Sequence, residues 1–239
     1  MNTLAQDIIN AHGGLDTWRT FRRVSATLDQ GGALWGLKGK AGILDLTRVT
    51  VATDTQWASH APFGAIAARS DFTTHRVALL DAQDRVVSAL DVPRDSFRGH
   101  ALDTPWNDLQ LAFFAGCAMW TYLNTPFLLA WDGVECEDAG EWVEDGETWR
   151  KVSLRYPDTL EVFSKVQALY VGADHLVRRL DYDVEIAGNT PGAHYVSDYT
   201  TVSGIAFPTK RRIYPRGPDG QRIPEPLVVS IDLSDIRLG

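Results

Sequence analysis

From Pro105 to Trp131 the chain reads PWNDLQLAFFAGCAMWTYLNTPFLLAW, with Asp108 as its only charged residue. A segment this apolar has to be covered by something. It interrupts a chain that otherwise alternates apolar and polar residues with the two-residue period of β-strands. The unbroken apolar run, Leu111 to Trp120, is too short to span a bilayer, and Asn124 and Pro126 follow it. A helical insert of this kind inside a β protein predicts a lid or plug over an apolar cavity, at residues 105–130. Thr104 is the expected N-cap and Pro105 the first helical residue. Asp108 suits the positive end of the helix dipole. Pro126 predicts a break.

The remainder reads as strands and turns. A helix is expected over residues 3–12, with Thr3 and Gln6 as a capping box, Leu4, Ile8 and Ile9 as its apolar stripe, and Gly13-Gly14 as its stop. A second short helix is expected from Asp16 to Phe21. Strands follow around Val24 to Leu28, then at 33–37, 41–53, 71–80 and 85–91, with a loop from Trp57 to Ala68. Strands Glu147–Tyr156, Phe163–Val171, Leu176–Ile186, His194–Val202, Ile205–Tyr214 and Leu227–Leu233 close the chain as a meander with short turns. Leu180, Tyr182, Val184 and Ile186 alternate with Arg179, Asp181, Asp183 and Glu185, which predicts one covered and one wet face. No βαβ rhythm is present. The expected class is mainly β (α+β): one domain over residues 1–239. It is a single curved antiparallel sheet or incomplete β-barrel with an N-terminal helix and a helical lid.

Hydrophobic residues make up 44% and charged residues 23% of the chain, which allows a packed core and argues against disorder. A net charge of −8 argues against nucleic acid and against an anionic membrane surface as partners. Residues 132–147 carry only acids, whereas Lys210, Arg211, Arg212, Arg216 and Arg222 crowd residues 210–222. Both stretches are expected to be solvated strand edges. Cys117 and Cys136 give no disulfide framework and no metal-binding spacing, so neither a metal nor a cofactor is expected. The N-terminus, MNTLAQDIINAHGG, has neither a basic region nor an apolar core of the secretory type. The expectation is a soluble, cytoplasmic chain without stable membrane insertion. Its oligomeric state has no signature in the sequence.

Two stretches resemble a known family. AHGGLDTWR, at residues 11–19, resembles the opening of bacterial proteins related to the lipoprotein-sorting carriers. WRKVSLRYPDTLEVFSKVQALYVGADHLVRRLDYDVEIAG, followed by HYVSDYTTVSGIAFPTKRRIYPRGPDG, resembles the order of their C-terminal strands. The resemblance covers residues 2–28 and 147–234. It implies an incomplete antiparallel barrel with helices over an apolar cavity. This lipoprotein-carrier-like superfamily includes periplasmic carriers, mycobacterial lipid-binding lipoproteins and a cofactor-free enzyme of violacein biosynthesis. The carriers are exported, and the missing export signal shifts weight toward the cytoplasmic, enzyme-like branch.

No nucleophile elbow, P-loop or dinucleotide fingerprint is present. His12 is explained as a helix C-terminal residue. His100, where the chain enters the apolar insert, and His194, at the start of a strand, are the candidate general acids or bases. Each has an alternative as a hydrogen-bonded structural histidine. Candidate ligand contacts are Trp106, Phe113, Phe114 and Trp120 of the insert and Tyr182, Tyr199 and Tyr214 of the strands. Arg212 would anchor a carboxylate if its face points inward. Two functions follow. One is binding of a lipid-like or other apolar small molecule. The alternative is a cofactor-independent enzyme of secondary metabolism acting on an apolar or aromatic substrate in the same cavity.

Overall fold

The computed structural model describes residues 2–239. Thirteen strands form one antiparallel sheet that is not closed. The first meander comprises β1 (Arg23–Gly31), β2 (Thr47–Ala52), β3 (Trp57–Ala61), β4 (Arg69–Thr73), β5 (Arg76–Leu80) and β6 (Val86–Asp91). The second comprises β7 (Glu135–Glu144), β8 (Glu147–Arg155), β9 (Val166–Val171), β10 (Val177–Val184), β11 (Thr190–Val202), β12 (Ile205–Pro215) and β13 (Val229–Leu238). The meanders join where β1 pairs with β13, so β6 and β7 are the two free edges. Strand β1 shows the alternation that drives this: Val24, Ala26 and Leu28 are fully buried between more exposed neighbours. The expected class is therefore the observed one.

The helices are α1 (Thr3–Ala11), α2 (Leu15–Trp18), α3 (Ala33–Leu37) and α4 (Asp108–Asn124). Asn2, not Thr3, caps α1, its side chain accepting from the Ala5 amide at 2.9 Å. Gly13 then lies against the β11–β12 turn, where a Cβ would stand 2.2 Å from the Gly204 carbonyl oxygen. That close approach, together with a φ of +114°, restricts the position to glycine. Residues 33–37 form α3 instead of the expected strand, and Trp57–Ala61 form a strand instead of the expected loop. Both stretches are too short for periodicity to decide between the alternatives.

The apolar insert is helical, with a later start than expected. Asn107 and Gln110 make the capping box, each side chain taking the other's backbone N–H at 2.9 Å. Helix α4 ends at Asn124 with Thr125 as its C-cap, and a 3-10 turn at Phe127–Ala130 follows Pro126. Every residue from Gln110 to Asn124 is buried, so α4 is a plug filling the inside of the sheet, not a cover over it. It connects one free edge, β6, to the other, β7. Its one side packs directly on the first meander. There Gly116 allows the approach, since a Cβ would lie 2.5 Å from the Cβ of Phe72. Among the described residues no helix is long and apolar enough to cross a membrane.

The charge pattern divides. The acidic stretch forms the edge strand β7, as expected. The basic stretch does not form an edge: Lys210, Arg211 and Arg212 lie on β12, a strand paired on both sides.

Candidate functional site

The other side of α4 leaves space. Between it and the second meander lies a cavity of about 490 Å³, within the usual size range for small-molecule sites. Helix α4 contributes Phe114, Ala115, Ala118, Met119 and Tyr122, one face at helical spacing. Small residues at 115 and 118 leave the room that the aromatic ones enclose. Tyr182 and Val184 come from β10, Ile213 from β12, and Val229 and Ile231 from β13. Among the described residues no Asp, Glu, Lys, Arg or His belongs to the wall. Leu37 of α3 and Leu102 line the cavity while 44% and 40% exposed, which marks the mouth between α3 and the 101–106 loop. Buried Lys38 ties these two segments together. Its Nζ donates to the carbonyls of Ala101 at 3.3 Å and Thr104 at 3.1 Å and lies over the Trp106 ring.

Behind the wall sits a polar cluster. The Tyr122 and Tyr182 hydroxyls are 2.6 Å apart. The Tyr182 hydroxyl is 3.4 Å from Nδ1 of His194, whose Nε2 is 3.5 Å from the Arg211 guanidinium. Arg211 also donates to the Tyr122 carbonyl at 2.9 Å. Burial, reinforced by Arg211, pushes the His194 pKa well down, so the ring is neutral. Burial pushes Tyr122 up to about 12 and Tyr182 well above the usual phenol range, so both keep their protons at neutral pH. Arg211 is 2% exposed, and among the described residues no carboxylate pairs with it.

The sequence candidates separate in space. Trp106, Phe114 and Tyr182 line the cavity, and Phe114 stacks on Phe163 at 4.7 Å and meets Trp106 at a tilt at 4.6 Å. Tyr214 reaches the wall, while its ring packs edge-on against Tyr195 at 6.0 Å. Phe113 lies on the opposite side of α4, against Phe72 and Phe97. Trp120 is held there too, its indole N–H donating to the carbonyls of Ala52 and Thr55. Tyr199 is away from the cavity, donating to the Val177 carbonyl at 2.8 Å. Arg212 faces outward and pairs with Asp232 at 2.7 Å, because the inward parity on β12 belongs to Arg211 and Ile213. His194 is fully buried behind Tyr182, and His100 sits outside the cavity with its ring edge-on to Phe97. Tyr122 and Arg211 were not singled out in the sequence. For Arg211 a signal existed: it shares strand parity with Ile213, an apolar residue, two positions on. Among the described residues no group of three or more His, Cys, Asp or Glu is placed to hold a metal.

No protein-family model matches the chain, and no curated protein does. Solved structures match. A LolA superfamily protein from Nitrosomonas europaea aligns over 98% of this chain and 93% of that one, at 13% identity and a TM-score of 0.51. A domain assigned to outer membrane lipoprotein sorting, from Vibrio parahaemolyticus, covers 98% and 90% at 12% identity and a TM-score of 0.47. The Mycobacterium tuberculosis lipoprotein LppX covers 77% and 90% at 11% identity and a TM-score of 0.26. The chain has the lipoprotein-carrier-like fold. The expectation of a cytoplasmic protein is corrected: it rested on a missing leader pattern, and the fold is that of a LolA superfamily protein, the class of exported carriers that the expectation had set aside. The first residues lack a leader pattern, but they form α1 and belong to the fold, so they carry no information on compartment.

Proposed function

We propose that this protein binds a hydrophobic small molecule, lipid-like or another apolar metabolite, in the cavity between α4 and the second meander. The observation that carries the reading is the wall itself: about 490 Å³ lined almost wholly by apolar and aromatic side chains, with Gln30 and Thr190 as polar members and, among the described residues, no charged group. An empty apolar space of this size costs stability unless function maintains it, because its lining lacks packing partners. The lipoprotein-carrier-like fold supports the same reading. Binding takes precedence over the cofactor-independent enzyme because His194, the nearest titratable base, stands behind Tyr182.

The test is titration with a dye that brightens in apolar sites, beside the variant Ala118→Trp. Ala118 faces the open space, so an indole there fills it. Wild type should show saturable binding, and Ala118→Trp should lose it without loss of thermal stability. Equal binding by both proteins would move the ligand elsewhere.

A further inference from the structure

The polar cluster fixes the direction of its own hydrogen bonds. A guanidinium only donates, so Nε2 of His194 accepts from Arg211. The neutral ring then carries its proton on Nδ1, which donates to the Tyr182 hydroxyl. His194 therefore cannot accept from either tyrosine. The two phenols own two O–H protons, and one of them makes the 2.6 Å bond between the rings. The other proton has no protein acceptor among the described residues, whichever tyrosine holds it. Both rings line the cavity. Gln30 and Thr190 also line the cavity, but the tyrosine pair is the place where its wall carries a buried O–H proton without a protein acceptor among the described residues. Behind it stands Arg211, buried and without a neutralising acid.

An unused donor at the wall of a largely apolar chamber selects for an acceptor, and an unneutralised cation behind it selects for negative charge. We propose that the ligand is an apolar acid whose carboxylate accepts from the Tyr122–Tyr182 hydroxyl pair, with the Arg211 charge supplying the counter-field. This rests on the cavity reading above and adds the chemical class of the ligand's head group. In place of Arg212, which would have been a carboxylate anchor only if its face pointed inward, it assigns the charge to the inward-facing neighbour acting through the tyrosines.

The test compares three probes that share one chain: lauric acid, methyl laurate and dodecanol, each titrated below its micellar range by isothermal calorimetry. Wild type should bind the acid at least about tenfold more tightly than the ester, the scale of one hydrogen bond to a charged group. In Tyr122→Phe/Tyr182→Phe that preference should fall below about threefold, while ester affinity, the control for folding and cavity, stays within about threefold of wild type. Equal binding of acid, ester and alcohol by wild type would overturn the head-group assignment and leave the cavity reading standing. An acid preference that survives in the double variant would also overturn it, placing the carboxylate elsewhere. Failure of all three probes to bind would overturn the cavity reading itself, and the assignment with it.

Discussion

Arg179 is fully buried on the outer face of β10, where the alternation of its strand had predicted solvent. Its guanidinium takes both oxygens of Asp181 at 2.7 and 2.9 Å and reaches Glu144 at 2.7 Å, Tyr195 at 3.0 Å and the Gly220 carbonyl. The cover comes from the end of β7 and the turn at Gly220, 35 and 41 positions away in the chain. No local pattern announces neighbours so distant, which is why Arg179 and Asp181 read as wet. Removing the cation strands two buried carboxylates, so Arg179→Met should lower stability by about 3–5 kcal/mol. Urea denaturation would show it as a lower midpoint. Burial works against ionised Glu144, but hydrogen bonds from Tyr195, Trp142 and Arg179 outweigh it and hold the carboxyl below its usual range. A group lowered in this way stabilises the fold above its unfolded pKa and loses that contribution as pH falls through the folded one. Glu144→Gln should therefore be destabilising at neutral pH, and its gap from wild type should close below about pH 4.

Helix α4 was legible as a helix because its apolar run is local, but its cap was misplaced at Thr104, three residues before Asn107. Its role was only half legible: the sequence left lid and plug open and favoured a lid, although a helix apolar on every side is buried on every side. The cavity beside it was not, because only the packed neighbours decide which face meets protein and which meets space. Phe113 and Phe114 are adjacent and equally apolar, yet one packs on Phe72 and the other lines the cavity. Gly116 sets how deeply the helix sits on the first meander. Gly116→Ala should push α4 off Phe72, costing about 1–3 kcal/mol by overpacking. The displacement is toward the open side, so the same variant should weaken binding of a cavity-filling dye. Unchanged melting temperature and unchanged binding together would show that Phe72 yields instead. At the helix start, Asn107→Ala should cost about 1 kcal/mol through the lost cap.

Across the whole molecule, His12, His60 and His194 are all buried, and in each desolvation lowers the pKa. For His60 it falls to about 4, and neither ring nitrogen has a partner. The unfolded chain takes up these protons near pH 6.5, before the folded one does. Stability should be complete above about pH 6.5 and decline as pH falls toward the folded pKa values, ahead of most carboxylates. Calorimetric melting across that range checks this. His60→Leu should flatten the slope and raise the melting temperature at neutral pH, because it removes an unsatisfied buried ring.

The seam of the sheet is the pairing of β1 with β13, in which Val24 sits opposite Leu238. Almost the whole chain lies between these partners, and such contacts form late because the intervening loop must close first. Each strand of the first meander can find its neighbour as soon as it emerges during synthesis. Strand β1 cannot find its second neighbour until β13 has left the ribosome. Val229 and Ile231, which wall the cavity, arrive on that same strand. A nascent chain therefore holds an exposed strand edge and an unwalled apolar helix until β13 has emerged. The proposed binding cavity has no complete wall before that strand is in place.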